Sequence, residues 1–207
     1  MYRKITMKTT IYWSPADFDL HHDWNILYKD PTILGANLRK KMSKNIDKRS
    51  NLFFCPAVKD LTNRVAVIKS PMTCHYKIVD NEFKPISKNF INITFPHTSN
   101  FKDNILFQFA HSFVFFSEEN VKMIFSSPYF SNSPHLKYGS VIPGMFNISS
   151  WFRNVNFEFN LWNNVTEFKI MKNEDMAYVY FDSEHEIELK RFDFTERLLR
   201  ITKTCAT

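Results

Sequence analysis

Hydrophobic and polar residues alternate most regularly between residues 154 and 161. The hydrophobic positions are Val155, Phe157, Phe159 and Leu161, and the polar positions between them are Asn154, Asn156, Glu158 and Asn160. A period of two residues places each set on its own face of a β-strand. The pattern therefore predicts a strand with one buried face and one solvated face.

Turn-forming residues follow this strand twice. Asn163 and Asn164 suit a tight turn that requires positive φ, and residues 172–175 (Lys-Asn-Glu-Asp) form a second turn. Strands are expected at residues 168–171 and 176–181. The three strands together predict a β-meander that feeds a sandwich or roll.

The longest predicted strand covers residues 104–117, where phenylalanines recur at alternate positions. Its buried row contains Ile105, Phe107, Phe109, Phe113 and Phe115, with His111 in the same row. We expect His111 to be a core histidine with a hydrogen-bond partner, since an unpaired buried polar group costs about 1–3 kcal/mol. Residues 121–125 are expected to pair with this strand across a turn at 118–120.

Shorter strands are predicted at residues 10–13, 64–69, 75–79, 83–86 and 186–194. Helical spacing occurs at residues 31–46, where Asp30 is the expected N-cap and Pro31 the first helical residue. A short C-terminal helix is expected at 196–202, capped by Thr195. The predicted fold class is mainly β: a single-domain sandwich or roll, of the jelly-roll or β-clip kind, with one amphipathic helix near the N-terminus and a short helix at the end.

The predicted domain covers all 207 residues, 44% of which are hydrophobic and 16% aromatic. We divide it into an N-terminal strand, loop and basic helix (1–50), a β core (51–194) and a C-terminal helix and tail (195–207). No apolar run reaches the roughly 20 residues that span a membrane, and the start of the chain has no hydrophobic signal core. A cytoplasmic location without membrane contact is therefore expected. The three cysteines are widely spaced and are expected to be reduced structural thiols.

Positive charge is concentrated in residues 39–49. This segment holds six of the 27 basic residues and one of the 21 acidic residues, so nearly all of the net charge of +6 arises there. The basic residues are Arg39, Lys40, Lys41, Lys44, Lys48 and Arg49. Such a patch suits an acidic protein partner or a phosphate backbone, and it is also typical of an ordinary solvated helix face.

A His-x-Asp pair, His21 and Asp23, has the spacing of two ligands in a facial iron site. A third ligand would have to be a histidine such as His111, His135 or His185. The pair lies in a predicted loop before the helix, not late in a sheet, so a solvated loop is the competing interpretation.

A stretch from Ser126 to Gly139 is dense in hydroxyl and aromatic side chains. Loops of this kind line binding sites because the scaffold holds them while their side chains stay available. Tyr and Trp favour surfaces that are apolar on one side and wet on the other. The predicted contact residues are therefore Tyr129, Phe130, His135, Tyr138, Trp151 and Trp162, the alternative being that the loop packs its aromatics onto the end of the sandwich.

Glycine occurs only at positions 35, 139 and 144. This distribution excludes a phosphate-binding loop, a dinucleotide-binding fingerprint and a nucleophile elbow. No complete catalytic constellation is visible in the sequence, and no cofactor is implied. The expected role is binding without catalysis, with a protein as the partner and nucleic acid as the alternative.

Several motifs are distributed along the chain: IYWSP, DWNILYKDP and CPAV in the first third, SPYF, PHLKYGSVIPGMF and WFRNVNFEFNLW in the middle, and RFDFTERL near the end. Through these motifs the chain resembles uncharacterised proteins of marine tailed phages of the T-even type. This resemblance covers most of the chain. It implies a phage-encoded accessory protein, a partner from the host or the phage, and a place in the host cytoplasm or the virion.

The segment from Arg153 to Phe181 is also similar to the closing part of dUTPase-like folds, with Asn173 at a position usually given to glycine. In Ser140 to Gly144, however, Pro143 stands where those enzymes carry their catalytic aspartate. The likeness implies a scaffold, and as alternatives to binding it leaves a diverged nucleotide hydrolase and, from the His-x-Asp pair, an iron and 2-oxoglutarate jelly-roll enzyme.

Overall fold

The computed structural model describes residues 7–16, 27–44, 55–80, 82–86, 94–97 and 105–204, with the backbone alone at 41–44, 94–97 and 110–111. Its strands are β1 Lys8–Pro15, β2 Thr32–Ile33, β3 Val65–Lys69, β4 Cys74–Val79, β5 Glu82–Pro85, β6 Thr94–His97, β7 Leu106–Phe116, β8 Lys122–Ser126, β9 Gly139–Val141, β10 Gly144–Asn147, β11 Val155–Leu161, β12 Glu167–Ile170, β13 Asp175–Asp182 and β14 Glu186–Arg191. Its α-helices are α1 Leu34–Lys44, α2 Pro56–Thr62 and α3 Glu196–Thr204, and a 3₁₀ turn covers Pro134–Lys137.

The described strands pair into three sheets. Sheet A has the order β14-β1-β7-β11-β9, with β6 also paired to β7; sheet B has the order β10-β8-β13-β3-β2; sheet C has the order β12-β4-β5. The β1–β14 pair is parallel, so a strand near each end of the chain lies side by side in sheet A. The other pairs are antiparallel.

A phenylalanine-rich core fills the space between sheet A and the other two sheets. Phe107 of β7 lies 4.7 Å, between ring centroids, from Phe168 of sheet C, and Phe115 lies 5.9 Å from Phe181 of sheet B. All four side chains are fully buried. The prediction of a mainly β sandwich or roll is confirmed.

The predicted period of two is confirmed along β11, where buried and half-buried residues alternate from Val155 to Leu161. The register between β11 and β7 shifts between Asn156 and Glu158. The phenylalanine row of β7 nevertheless stays on the core side before and after the shift, because the two registers differ by an even number of residues.

Two predictions of strand pairing are wrong. The strands β11, β12 and β13 do not form a meander, since they belong to sheets A, C and B respectively. The residues around 121–125 form β8, which pairs with β10 and β13 and not with β7. The turns themselves are as predicted, because Asn164 and Asn173 have φ of 66° and 68°.

The first helix begins later than predicted. Thr32 and Ile33 pair with β3 as a short strand, so α1 starts at Leu34 and not at Pro31. The helix α2, with Pro56 in its first turn, was not predicted. The C-terminal helix is confirmed, and the Leu198 amide donates to Thr195 Oγ1 at 3.4 Å.

The two longer helices, α1 and α3, each cover part of the outer face of one sheet. Leu34 and Leu38 of α1 pack on Val65, Val67 and Tyr178 of sheet B. On sheet A, the residues around α3 (Phe192, Phe194, Leu198 and Leu199) pack with Ala16, Val114 and Phe152. Among the described residues, no helix combines the length and apolar character needed to cross a bilayer.

Gly35 allows α1 to lie close to the end of α2. A Cβ at this position would be 2.5 Å from Asn63 Oδ1, which is much closer than a carbon and an oxygen can approach. Asn63 Oδ1 also accepts a hydrogen bond from Arg39 at 3.1 Å. The start of α1 is therefore fixed by backbone proximity and by a side-chain hydrogen bond.

Candidate binding groove

A groove of about 350 Å³ lies between α1 and the outer face of sheet B, and we call it the α1 groove. Its apolar lining consists of Leu34, Leu38, Val67, Phe130 and Tyr178, and its polar lining of Thr32, Asn37, Lys40, Lys69 and Asp175. Ligand sites commonly combine an apolar surface with a few convergent polar groups, and this volume lies within their usual range.

Strand alternation explains the apolar lining. In β3, Ala66 and Ile68 point into the main core, so Val65 and Val67 point outward. These outward residues would be exposed without a covering element, and α1 supplies it through two leucines four residues apart. The groove is the part of this face that α1 does not fill.

An ion pair lies at one side of the groove. Lys69 and Asp175 are directly opposite in the β3–β13 register, and Lys69 Nζ donates to Asp175 Oδ1. The two side chains retain only 28% and 12% of their exposure, so solvent screens this pair less than a surface pair. Each charge is therefore largely neutralised by the other.

Tyr178 places a phenol in the groove with its side chain almost fully buried. Burial raises the pKa of Tyr178 above its usual value, and the negative charge of Asp175 raises it further. The phenol therefore stays protonated at neutral pH. The ring of Tyr129 meets the ring of Tyr178 edge to face at a centroid distance of 5.0 Å.

The segment from residue 127 to residue 138, which we call the aromatic loop, forms one wall of the groove through Phe130. His135 anchors this loop. Its backbone N–H and its Nδ1 both donate to Oε1 of Glu174, at 3.0 and 2.7 Å, and Ser133 Oγ donates to the Asp175 carbonyl at 3.0 Å. The loop is thus held by Glu174, in the turn before β13, and by Asp175, the first residue of β13.

Burial sets the protonation state of His135. The ring is fully buried and its centroid lies 5.5 Å from that of Phe159. Burial lowers the pKa of His135, and the Glu174 carboxylate opposes this effect only in part. The neutral ring carries its proton on Nδ1, which faces Glu174, while Nε2 has no hydrogen-bond partner within the described part of the chain.

The predicted contact residues are divided among several places. Phe130 lines the α1 groove, and Tyr129, which is 51% exposed, contacts the Phe130 ring beside it, whereas His135 lies inside the protein and holds the loop. Tyr138 and Trp162 lie together on a second surface, where the Trp162 amide donates to the Tyr138 carbonyl at 2.8 Å.

Trp151 belongs to a third surface. Its ring centroid lies 5.5 Å from that of Phe146 and 5.0 Å from the Arg153 guanidinium carbon. Of the predicted contact aromatics, Tyr129, Trp151 and Trp162 are exposed and the other two are half-buried, and they are spread over three surfaces.

The basic segment reaches the groove through Lys40, which is exposed and part of the polar lining. Arg39 is held by Asn63 on the side of α2. The side chains of Lys41 and Lys44, and the whole of Lys48 and Arg49, lie outside the described residues.

The metal prediction is not addressed by the described residues. His21 and Asp23 lie outside them, as does the side chain of His111. Within the ranges described, no group of three or more His, Cys, Asp or Glu side chains is placed to hold a metal ion.

His185 lines a separate polar cleft of about 730 Å³ near the β13–β14 turn, together with Arg64, Glu119 and Asp182. Polar groups in its wall bond to one another: Ser183 Oγ donates to Thr9 Oγ1 at 2.8 Å, and Thr9 Oγ1 donates to Glu119 Oε2 at 2.7 Å. These bonds connect β1 to the β13–β14 turn, so the groups in this wall stabilise the fold.

Sequence reasoning missed four groups that build the groove and its wall: Lys69, Glu174, Asp175 and Tyr178. Lys69 and Asp175 are 106 residues apart, and His135 and Glu174 are 39 apart. The sequence held one indication of the Lys69–Asp175 pair: Lys69 ends one predicted strand, and Asp175 comes just before another. Only the pairing of β3 with β13 brings those two ends together.

No family model matches this sequence, and no curated protein matches it. Among solved structures, a mutant dUTPase from phage phi11 of S. aureus, described for its coordination of a structural Mg(II) ion, aligns with 64% of this chain and 85% of its own at 9% identity and a TM-score of 0.34. A likeness of that degree carries no argument about this chain.

Proposed function

We propose that this protein is a non-catalytic binding protein that holds a segment of a partner protein in the α1 groove. The observation that supports it best is that the groove brings Phe130 of the aromatic loop and Lys40 of the basic helix to one site. These were separate candidates in the sequence, 90 residues apart. An aromatic anchor with a polar or charged group at its rim is typical of protein interfaces.

The state of the ionisable groups favours binding over catalysis at this site. A general base must be unprotonated and available near neutral pH. Asp175 is paired with Lys69, and Tyr178 holds its proton because burial raises its pKa. Both groups are suited to orienting a ligand and not to moving a proton.

The resemblance of the sequence to proteins of marine tailed phages supports a partner from the host or the phage. On that basis we propose that the protein acts in the host cytoplasm or the virion. Nucleic acid, bound through the basic segment, is the alternative partner.

The test is an affinity measurement with groove and control variants. A partner would be identified by co-purification from the cells that naturally make the protein, then purified and titrated against wild type, Phe130→Ala and Trp162→Ala. We expect Phe130→Ala to weaken binding about thirtyfold, because anchor residues contribute about 2 kcal/mol or more. Trp162→Ala, which removes an aromatic side chain that is 48% exposed on the second surface, should leave the affinity unchanged.

The opposite pattern, with affinity lost in Trp162→Ala and kept in Phe130→Ala, would place the binding site on the second surface. Circular dichroism and thermal unfolding of each variant would show that a loss of affinity is not a loss of fold.

A further inference from the structure

We propose that the outer face of sheet C, together with the adjoining Tyr138 and Trp162, is a second binding site and that it takes single-stranded nucleic acid. This site lies on a different surface from the α1 groove, and its ligand is separate from the partner protein proposed above. The strand register, the charge of the outward side chains and an exposed aromatic ring at the edge of the sheet support it.

Strand alternation in sheet C divides its side chains between the core and the outside. In β4, Tyr76 and Ile78 are buried, so Lys77 between them points outward. The outward residues of the three strands, which we call the sheet C face, are His75, Lys77, Glu82, Lys84, Glu167 and Lys169. Sheets A and B pack their outer faces against α3 and α1, whereas Lys77, Lys84 and Glu167 on the sheet C face are exposed.

The sheet C face carries more positive than negative charge. It holds three lysines and two glutamates, and Lys137 adds a fourth lysine in the neighbouring 3₁₀ turn. Both glutamates already have partners within the protein. Glu82 Oε2 lies 3.6 Å from Lys84 Nζ, and Glu167 Oε1 accepts a hydrogen bond from His75 at 2.9 Å. The carboxylates that could neutralise this face are therefore engaged elsewhere on it.

The other lysines of the face are available to an anionic ligand. Lys77 and Lys169 form no ion pair with any residue in the part of the chain that the structure describes. Lys77 also lies directly opposite Lys84 in the β4–β5 register, and like charges in this position destabilise a sheet. A bound anion would remove that repulsion. The turns at the two ends of the sheet carry one charge of each sign, Lys172 and Asp80.

Aromatic side chains border the face beside β12. The Tyr138 hydroxyl donates to Glu167 Oε1 at 3.4 Å, which places this side chain next to the face. The Trp162 amide donates to the Tyr138 carbonyl at 2.8 Å, and its indole Nε1 donates to the Leu136 carbonyl at 3.3 Å. These bonds fix the indole while Trp162 stays 48% exposed. A base of any kind can stack on such a ring, since every base has a π-face.

The composition of the face favours nucleic acid over an acidic protein. The centres of protein interfaces are depleted in lysine and glutamate, which are the main side chains of the sheet C face. Interfaces with nucleic acid are more polar and more positive, because lysines neutralise phosphates. A sheet face with aromatic side chains accommodates unpaired bases, whereas reading a duplex requires an element that enters a groove. The fit is therefore to a single strand whose phosphates follow the lysines while one base stacks on Trp162.

The test is the binding of a fluorescein-labelled oligothymidylate of about 12 nucleotides, which is within the usual site size, measured by fluorescence anisotropy. The variants are Lys77→Gln and Lys169→Gln on the face and Trp162→Ala at its edge. Lys203→Gln is the matched control, because Lys203 is an exposed lysine of α3, on the outer side of sheet A. Lys40→Gln separates this site from the basic segment.

We expect saturable binding at low salt, with the affinity falling by about 2 to 3 powers of ten for a tenfold rise in salt, as three or four phosphate contacts would give. Lys77→Gln and Lys169→Gln should each reduce this slope by about 0.7. Trp162→Ala should weaken binding at least about fivefold, and Trp162→Phe, which keeps a stacking ring, should restore most of the affinity. Lys203→Gln and Lys40→Gln should leave the slope unchanged and the affinity within about twofold, because distant charges are screened.

Several results would overturn the proposal: no saturable binding, equal effects of Lys77→Gln and Lys203→Gln, or unchanged affinity in Trp162→Ala. A loss of affinity in Lys40→Gln without one in Lys77→Gln would move the site to the basic segment. Displacement of the oligonucleotide by an equal concentration of oligoglutamate of the same charge would replace nucleic acid by an acidic protein. Thermal unfolding of each variant would show that its fold is kept, and the α1 groove is tested separately by Phe130→Ala.

Discussion

At the scale of single residues, burial decides the chemistry of His135. The neutral ring is favoured because its surroundings are apolar on the side of Phe159, although a carboxylate faces its Nδ1. The charged groups that face it are Glu174 and Asp175, and both belong to the start of β13 or the turn before it. Protonating Nε2 would place a positive charge on a fully buried ring, and burial is the largest influence on its pKa.

This arrangement predicts that the protein loses stability as the pH falls below about 6.5. The pKa of His135 is lowered from 6.5 in the folded state, so the unfolded chain takes up its proton first and is favoured by acidification. Urea unfolding at pH 7.5 and 5.5 should show a smaller free energy of unfolding at the lower pH. In His135→Gln the difference between the two pH values should shrink.

An equal fall in stability for wild type and His135→Gln would contradict this assignment. Glu167 does not interfere with the test. Its pKa is lowered from 4.5, chiefly by the hydrogen bond with His75, so its stabilising effect is lost only below pH 4.5.

Burial also determines how reactive the cysteine thiols are. Cys74 is fully buried and its pKa is raised to about 12, so its thiol is protonated and inaccessible at neutral pH. Cys55 is exposed. In a Cys205→Ser background, we expect one thiol to react with a disulfide reagent in the native protein and two in denaturant. Two reactive thiols in the native protein would show that sheet C opens readily around Cys74.

At the scale of elements, the alternation of buried and solvated residues along a strand was easier to predict than the pairing of one strand with another. Alternation along β11 and the phenylalanine row of β7 follow from side chains that must reach the core, so they are visible in a short window of sequence. The choice of partner strand depends on contacts far along the chain, such as Phe107 with Phe168. For this reason β11, β12 and β13 looked like a meander but belong to three sheets.

The start of a helix is also hard to predict from the sequence when a tertiary contact decides it. Asp30 and Pro31 have the sequence of a helix start, yet Thr32 and Ile33 pair with β3, which is a tertiary contact. The α1 groove depends on this detail, since Thr32 is part of its lining. Its aromatic and basic components were predictable from composition, whereas the Lys69–Asp175 pair was not, because it requires the β3–β13 register.

The strand β7 joins sheet A to sheet C through Phe107. This ring is fully buried and contacts the rings of Phe83, Phe109, Phe159 and Phe168 at centroid distances between 4.7 and 5.6 Å. We expect Phe107→Ala to lower the free energy of unfolding by about 3–5 kcal/mol. Gln108→Ala, at the half-buried neighbouring position, should cost about 1 kcal/mol or less.

Urea unfolding followed by fluorescence would measure both variants. If Phe107→Ala does not fold, Phe107→Leu should fold with a smaller loss, because it leaves a smaller cavity. A cost for Phe107→Ala close to that of Gln108→Ala would mean that sheets A and C do not share one core.

At the scale of the whole molecule, the helices and loops outside the sandwich give its two outer faces different character. The face of sheet A is covered by Phe152, Phe192, Phe194 and the leucines of α3. The face of sheet B is partly covered by α1, which packs on Val65, Val67 and Tyr178, and the α1 groove lies beside this contact. Most of the net charge of +6 arises in residues 39–49, which overlap the second half of α1, and Lys40 of this segment lines the groove.

This asymmetry predicts how the molecule responds to small ligands. A site that binds a ligand present at 100 times its Kd gains about 2.7 kcal/mol of stability, which a thermal shift detects readily. Pro143, exposed between β9 and β10, stands in a run from Ser140 to Gly144 without a carboxylate to activate water. We therefore expect no release of diphosphate from dUTP in the presence of Mg²⁺, whether or not dUTP shifts the melting temperature. A shift with dUTP accompanied by diphosphate release would instead make the protein a nucleotide hydrolase, and a shift with Fe²⁺ that disappears in His21→Ala would make it a metalloenzyme.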